Sequence, residues 1–218
     1  MSSSGSLFEI SEVLFAAYGS RRLFVRLTIL CLLAFAAFPQ ASRAQDVPVS
    51  EVTPGESVIK FGVDASVSIK GTFQKWDASL KYTSVDVESG VLEIKIYADS
   101  VDTGSGMKNG KLKGKDFFNV KEDPYITFKS TKVVQTGPDT FELLGDFTIR
   151  GVTRQEKLEL KVVGKGTGTA TINGTMAFDR KEYGMNSGIP FIKIANRVEV
   201  TVALKVKHVS GPNLVFKQ

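Results

Sequence analysis

From residue 63 to residue 207 the chain repeatedly alternates apolar and polar positions. Val63, Ala65, Val67, Ile69, Gly71 and Phe73 interleave with Asp64, Ser66, Ser68, Lys70 and Thr72. Leu92, Ile94, Ile96 and Ala98 interleave with Glu93, Lys95 and Tyr97. The same rhythm runs through Phe141, Leu143, Gly145, Phe147 and Ile149, then Leu158, Leu160 and Val162, then Ala170, Ile172, Gly174, Met176 and Phe178. It closes on Val198, Val200, Val202, Leu204 and Val206. Successive side chains of a strand point to opposite faces, so each run buries one face and wets the other. A parallel sheet covered by helices would show unbroken apolar runs instead. The pattern therefore predicts an all-β, antiparallel fold.

Turn signals at Glu88-Ser89-Gly90, Thr136-Gly137-Pro138-Asp139, Arg150-Gly151 and Gly164–Gly168 separate the runs. They place strands near 57–63, 65–74, 77–87, 91–98, 125–134, 140–150, 154–163, 168–178 and 197–207. That makes eight strands if the first two are one bent strand and nine if they are separate. Only Ser105–Val120 looks helical, and its three glycines (106, 110 and 114) predict a short, weak helix. Eight antiparallel strands can close as a barrel, which leaves no bare edge, or stack as a sandwich. The small residues on the inward set (Ala65, Gly71, Ala98, Gly145, Ala170 and Gly174) either leave room inside or only fit a barrel's taper and bends.

The first 44 residues read differently. Arg21, Arg22 and Arg26 precede the 12-residue apolar run Leu27–Phe38, and Ser42 and Ala44 stand at the −3 and −1 positions of a cleavage site. This pattern is that of a secretory signal peptide, and the run is too short for a spanning helix of about 20 residues. The expected organisation is signal peptide 1–44, linker 45–54, barrel 55–207 and C-terminal tail 208–218. The single Cys falls in the leader, which excludes a disulfide framework from the remainder and fits export to an oxidising periplasm. The single His, His208, argues against a His-rich metal centre and a Ser/His triad. The chain holds 28 basic and 23 acidic residues, of which four and two lie before residue 45, so the rest is only weakly basic. No arginine-rich or aromatic-basic block suggests a nucleic-acid partner.

Three blocks are far more specific than the periodicity: LKGKDFFNVKEDPYITFKST at 112–131, GDFTIRGVTRQEKLEL at 145–160 and FDRKEYGM at 178–185. With the closing valine strand, they resemble the YceI-like family of secreted, lipocalin-like proteins, in the family's own order and over about 55–207. The resemblance implies an extended eight-stranded antiparallel barrel with one short helical segment. It also implies a long apolar ligand held inside, such as a polyisoprenoid, a quinone-like tail or a fatty amide. It implies neither catalysis nor a cofactor beyond such a lipid. Two departures stand out: Glu56-Ser57 replaces the family's His-Ser pair, and Lys111 replaces the His before Leu112.

A lipid-binding wall must be aromatic and aliphatic. Phe73, Ile94, Phe117, Phe118, Phe128, Phe147, Met176 and Phe178 are the candidates, although each also suits an ordinary core. The adjacent Phe117 and Phe118 cannot both face inward from a strand, so one of them is expected to plug or gate the mouth. Arg180 is the candidate for a ligand head group, and a salt bridge to Asp116 or Asp179 is its structural alternative. Arg150 and Arg154 read as solvated turn residues, and Asp99 and Asp102 as part of a capped loop. The competing function is an envelope interaction module with a filled barrel. The sequence leaves a homodimer open.

Overall fold

The structure is a computed structural model that describes residues 46–66, 68–187 and 193–217. The expected leader and Val67 lie outside the described residues. Eleven strand segments form one antiparallel sheet: β1 (Val49–Val52), β2 (Val58–Ala65), β3 (Ile69–Phe73), β4 (Trp76–Lys81), β5 (Val91–Tyr97), β6 (Val101–Asp102), β7 (Tyr125–Gln135), β8 (Thr140–Ile149), β9 (Val152–Val163), β10 (Thr169–Asp179) and β11 (Ile194–Ser210). Among the described residues one α-helix, α1 (Gly106–Lys113), joins β6 to β7.

The pairing order is β1-β4-β5-β7-β8-β9-β10-β11, and β11 pairs back to β1, so the sheet closes. The remaining segments continue neighbouring strands. β11 pairs with β2 through its first half and with β1 through its last residues. β2 pairs with β3, and β3 with β6. Thus β1 with β2, β3 with β4 and β5 with β6 act as three broken strands, and the wall is an eight-stranded barrel.

The alternation maps onto the wall as expected. Phe141, Leu143, Phe147 and Ile149 of β8 are buried, as are Ile172, Met176 and Phe178 of β10 and Val198, Val202, Leu204 and Val206 of β11. Between β8 and β9, Arg150 (φ 55°) and Gly151 (φ 69°) are consecutive left-handed residues. That geometry belongs to the two-residue hairpin turn whose twist matches the strands, and Gly adopts it without a Cβ penalty. Ser130 lies beside a bulge in β7, and its buried hydroxyl accepts from the Leu92 N–H at 2.9 Å. This satisfies a donor at the end of the β5–β7 ladder.

Several boundaries differ from the sequence reading. The strand expected at 65–74 begins at Ile69, and β2 before it already ends at Ala65. The strand expected at 77–87 stops at Lys81. Beyond it, Asp86 caps a 3-10 turn (Val87–Ser89) by accepting from the Glu88 N–H, and Tyr82 packs against Gly90. The expected linker contains β1, whose pairing with β11 completes the barrel. The expected tail is also part of the fold. β11 runs to Ser210, Val215 exchanges main-chain hydrogen bonds with Val85 and Val87, and the Phe216 ring lies 6.2 Å from that of Phe141.

Candidate functional site in the barrel

At one end of the barrel, β2, β3, β5, β7, β8, β10 and β11 turn aromatic and aliphatic side chains toward a common space. Its free volume is about 60 Å³. That corresponds to about two waters' share of the liquid, against roughly 300–1,000 Å³ for ordinary ligand pockets. Phe61, Phe73 and Phe118 fill most of it, with ring centroids 5.4, 5.8 and 6.3 Å apart. Phe147, Phe178 and Tyr183 form a second trio at 5.1–5.4 Å.

The inward glycines do not supply the room that the sequence left open. A Cβ on Gly145 would sit 2.6 Å from Phe128 Cζ, and one on Gly71 would sit 2.7 Å from Phe61 Cε1. A Cβ on Gly174 would meet Val202 and Leu160 at 2.6 and 2.7 Å. A neighbouring side chain already occupies each missing one. Phe128, over Gly145, and Leu158, beside Gly174, are buried and border neither this space nor the one at the opposite end of the barrel.

The chain closes this end in two ways. Helix α1 is capped by Ser105 and gives only Leu112 to the core, while Met107 is 88% exposed. Its continuation carries Phe117 and Phe118, both of which are buried and border the cavity. The expectation that only one could face inward assumed a strand. The residues lie in successive tight turns, with the Phe117 N–H donating to Gly114 O and the Phe118 N–H to Leu112 O, so adjacent side chains need not diverge.

The second closure is the 179–185 block. Asp179 caps the 3-10 turn Arg180–Tyr183 by accepting from the Lys181 N–H at 2.8 Å, and Gly184 (φ 74°) ends it. Tyr183 is fully buried, and its hydroxyl donates to Glu156 Oε1 at 2.7 Å. Burial, and then this bond, hold the phenol's pKa far above its usual value.

Arg180 follows neither sequence reading. It is 6% exposed, and its guanidinium donates to main-chain carbonyls, Nε to Ala195 and Nη1 to Met185 and Ser187. Asp116 instead pairs with Lys111 at 2.6 Å. Arg180 borders the cavity but acts as a staple for the segment leading to β11. Arg150 and Arg154 are likewise braces and not free turn residues, donating to the carbonyls of Gly184 and Glu182. Asp102 is a loop cap: its carboxylate accepts from the Gly104 N–H and then from Asn109 Nδ2, which hold it below its ordinary range.

Of the sequence candidates, Phe73, Phe117, Phe118, Phe147, Phe178 and Arg180 border this cavity, whereas Ile94, Phe128 and Met176 are buried away from it. Phe61 and Met185 also border it and were not singled out. Phe61 shares one strand face with Ile59 and Val63, a signal present in the sequence. Met185 lies in a loop and shows no periodicity.

The opposite end of β8, at Phe141 and Leu143, borders a second interior space of about 50 Å³, with Leu80, Tyr82, Leu92 and Ile172 around it. It continues into a cleft of about 360 Å³ beneath residues 213–216.

The YceI-like domain model matches residues 51–206. A UPF0312 protein of Azotobacter vinelandii is 31% identical over 96 residues, which is 44% of this chain and 50% of that protein. A UPF0312 protein of Yersinia pestis is 34% identical over the same length. The aligned stretch thus spans about half the length of these curated relatives. Among solved structures, Burkholderia cenocepacia BcnA superposes with a TM-score of 0.65 at 24% identity, covering 71% of this chain and 99% of that one. A polyisoprenoid binding domain from Saccharophagus degradans superposes with a TM-score of 0.60 at 14% identity, covering 74% and 99%. With its closed eight-stranded wall and the turn blocks that seal one end, the chain belongs to the YceI-like domain family.

Proposed function

We propose that this protein binds a long apolar molecule of polyisoprenoid, quinone-tail or fatty-amide type inside its barrel, without catalysis, in the periplasm. The carrying observation is that the interior spaces at both ends of the closed wall are lined almost wholly by apolar side chains. The Saccharophagus neighbour, described as polyisoprenoid binding, supports the ligand class. The basic and apolar leader and the cysteine-free remainder support the compartment.

Binding requires rearrangement, because about 60 Å³ cannot hold such a chain. The ligand must displace the Phe61–Phe73–Phe118 cluster. Helix α1 is the element best suited to yield, since Leu112 is its one buried side chain. Each methylene taken from water contributes about 0.8 kcal/mol, so a few isoprene units offset the moving of one or two rings.

The small interior volume also favours a second reading, a filled barrel that presents its outer wall to an envelope protein. Organic extraction and mass spectrometry of the protein gently purified from its own envelope separate the two. A stoichiometric apolar molecule supports the binder. A lipid-free protein that also fails to quench Trp76 fluorescence when titrated with prenyl quinones overturns it.

A further inference from the structure

The two ends of the barrel differ in the polar groups they offer. At the Arg180 end, the guanidinium is turned to three carbonyls, and the free surface of the cavity is apolar. At the other end, the narrow interior space widens into the 360 Å³ cleft, and Leu80, Tyr82, Val87, Val162 and Ile172 border both. A thin apolar shaft opening into a wider vestibule has the shape of an amphiphile.

The vestibule also carries unused donors. Tyr82 and His208 both border the cleft and are half-buried, and among the described residues the only buried side-chain polar atom without a partner is Arg150 Nε, so the Tyr82 hydroxyl and the His208 ring stay within reach of water or a ligand. Burial raises the Tyr82 pKa, so the phenol keeps its proton and remains a donor. Water serves these groups in the free protein, and a head group that replaces that water with its own oxygen acceptors gains selectivity over a bare hydrocarbon.

The roof is the chain's own C-terminal segment, 211–217. Val215 forms a parallel bridge with Asp86. Lys217 pairs with Glu88 at 2.5 Å, and its N–H donates to the Gln135 side chain at 2.7 Å. Phe216 packs on Phe141, with Lys165 Nζ 4.8 Å over its ring. These contacts, with the Val215 main-chain bonds to Val85 and Val87, lie outside the strand ladders that close the wall.

We propose that this vestibule receives the polar end of the ligand: Tyr82 and His208 donate to oxygen acceptors of the head group, and the tail runs inward toward Phe118, displacing the Phe128 ring as well as the Phe61–Phe73–Phe118 cluster. The orientation rests on the apolar-ligand reading above and places the head at the end opposite Arg180.

Two tetraprenyl quinone probes test it on the full protein, one with a photoreactive diazirine on the ring and one with it on the tail terminus. The ring probe is expected to label Tyr82, His208 and the 211–217 roof, and the tail probe the Phe61–Phe73–Phe118 cluster. Ring-probe labelling at Arg180–Ser187 would overturn the orientation while leaving the apolar-ligand reading intact. Failure of both probes to give labelling that unlabelled quinone competes away would remove that reading, and the orientation with it. Tyr82→Phe and His208→Ala should each weaken quinone binding about three- to tenfold, the worth of one net hydrogen bond. The headless tetraprenyl hydrocarbon should bind them as it binds the unsubstituted protein. Folded variants with unchanged quinone affinity would also overturn the proposal.

Discussion

Replacing Gly145 and Gly174 with alanine, one at a time, measures how full the barrel is. Both glycines face inward, on β8 and β10 to either side of β9, and an open interior would accept a methyl group at either. Alanine would then stabilise the protein by about 0.4–1 kcal/mol, because it restricts the unfolded chain. The structure gives a different and unequal answer. At Gly145 the new Cβ would lie 2.6 Å from the Lys129 carbonyl oxygen, a main-chain atom of the paired strand, and 2.6–2.8 Å from the Phe128 ring. The carbonyl is fixed by the sheet, so the β7–β8 ladder itself must shift. At Gly174 the contacts are Val202 Cγ2, Leu160 Cδ2 and Leu158 Cδ1, all methyl groups that rotate. Overpacking a tight core costs about 1–3 kcal/mol. Gly145→Ala should fall near the upper part of that range, with a loss of about 2 kcal/mol after the unfolded-state gain. Gly174→Ala should lie within about 1 kcal/mol of zero. Urea unfolding followed by the single Trp76 reads both, and an unchanged m-value would show that the endpoints are the same. The corresponding fall in Tm for Gly145→Ala is about 4–8 °C. A Gly145→Ala variant at least as stable as Gly174→Ala would refute the packing argument and restore the glycines as ligand space.

Other consequences are open to simpler measurements. Tyr82 and Tyr183 both have pKa values raised by burial, so above the ordinary tyrosine value of 10.0 the unfolded chain loses protons that the folded one retains. Stability should therefore be complete below pH 10 and decline above it, and Tyr183→Phe should flatten that decline in melting curves taken from pH 8 to 11. Arg180→Lys removes the fork that serves the carbonyls of Met185, Ser187 and Ala195. It should cost about 2–4 kcal/mol by chemical denaturation and admit protease between Tyr183 and Ile194, and an unaltered stability would show the staple to be dispensable. Phe216→Ala should leave Tm within a few degrees yet speed exchange of a bound prenyl quinone in stopped flow. An unchanged exchange rate would show that the roof does not control passage.

The strands were legible because the wall is one residue thick, with water outside and hydrocarbon within, so alternation survives along β8, β10 and β11. The closure of the barrel was not. β1 carries only four residues, and its value lies in a partner at the far end of the chain, which no local pattern encodes. The same holds for Arg180, where a charge beside an apolar run suggested a ligand or a carboxylate. Its actual partners are carbonyls contributed by a loop and by β11. Glycine left two readings open for a related reason. Sequence shows that a side chain is absent but not which neighbour leans into the gap, and here the neighbours are Phe61, Phe128 and the leucines of β9.

The seam between β1 and β11 has a consequence for how the molecule is made. The first and last strands of the wall are each other's partners, and Gly211 lies directly against the main chain of Val47. A ribosome delivers the chain from its N-terminus, so β1, which shares only one residue pair with β4, waits for its main partner until the last strand has emerged. Until then the nascent sheet has two naked borders, each a template for a foreign strand. The final turn of synthesis thus decides between a sealed cylinder and an open ribbon prone to stick to its kind, and a nonsense codon between β10 and β11 would release the ribbon.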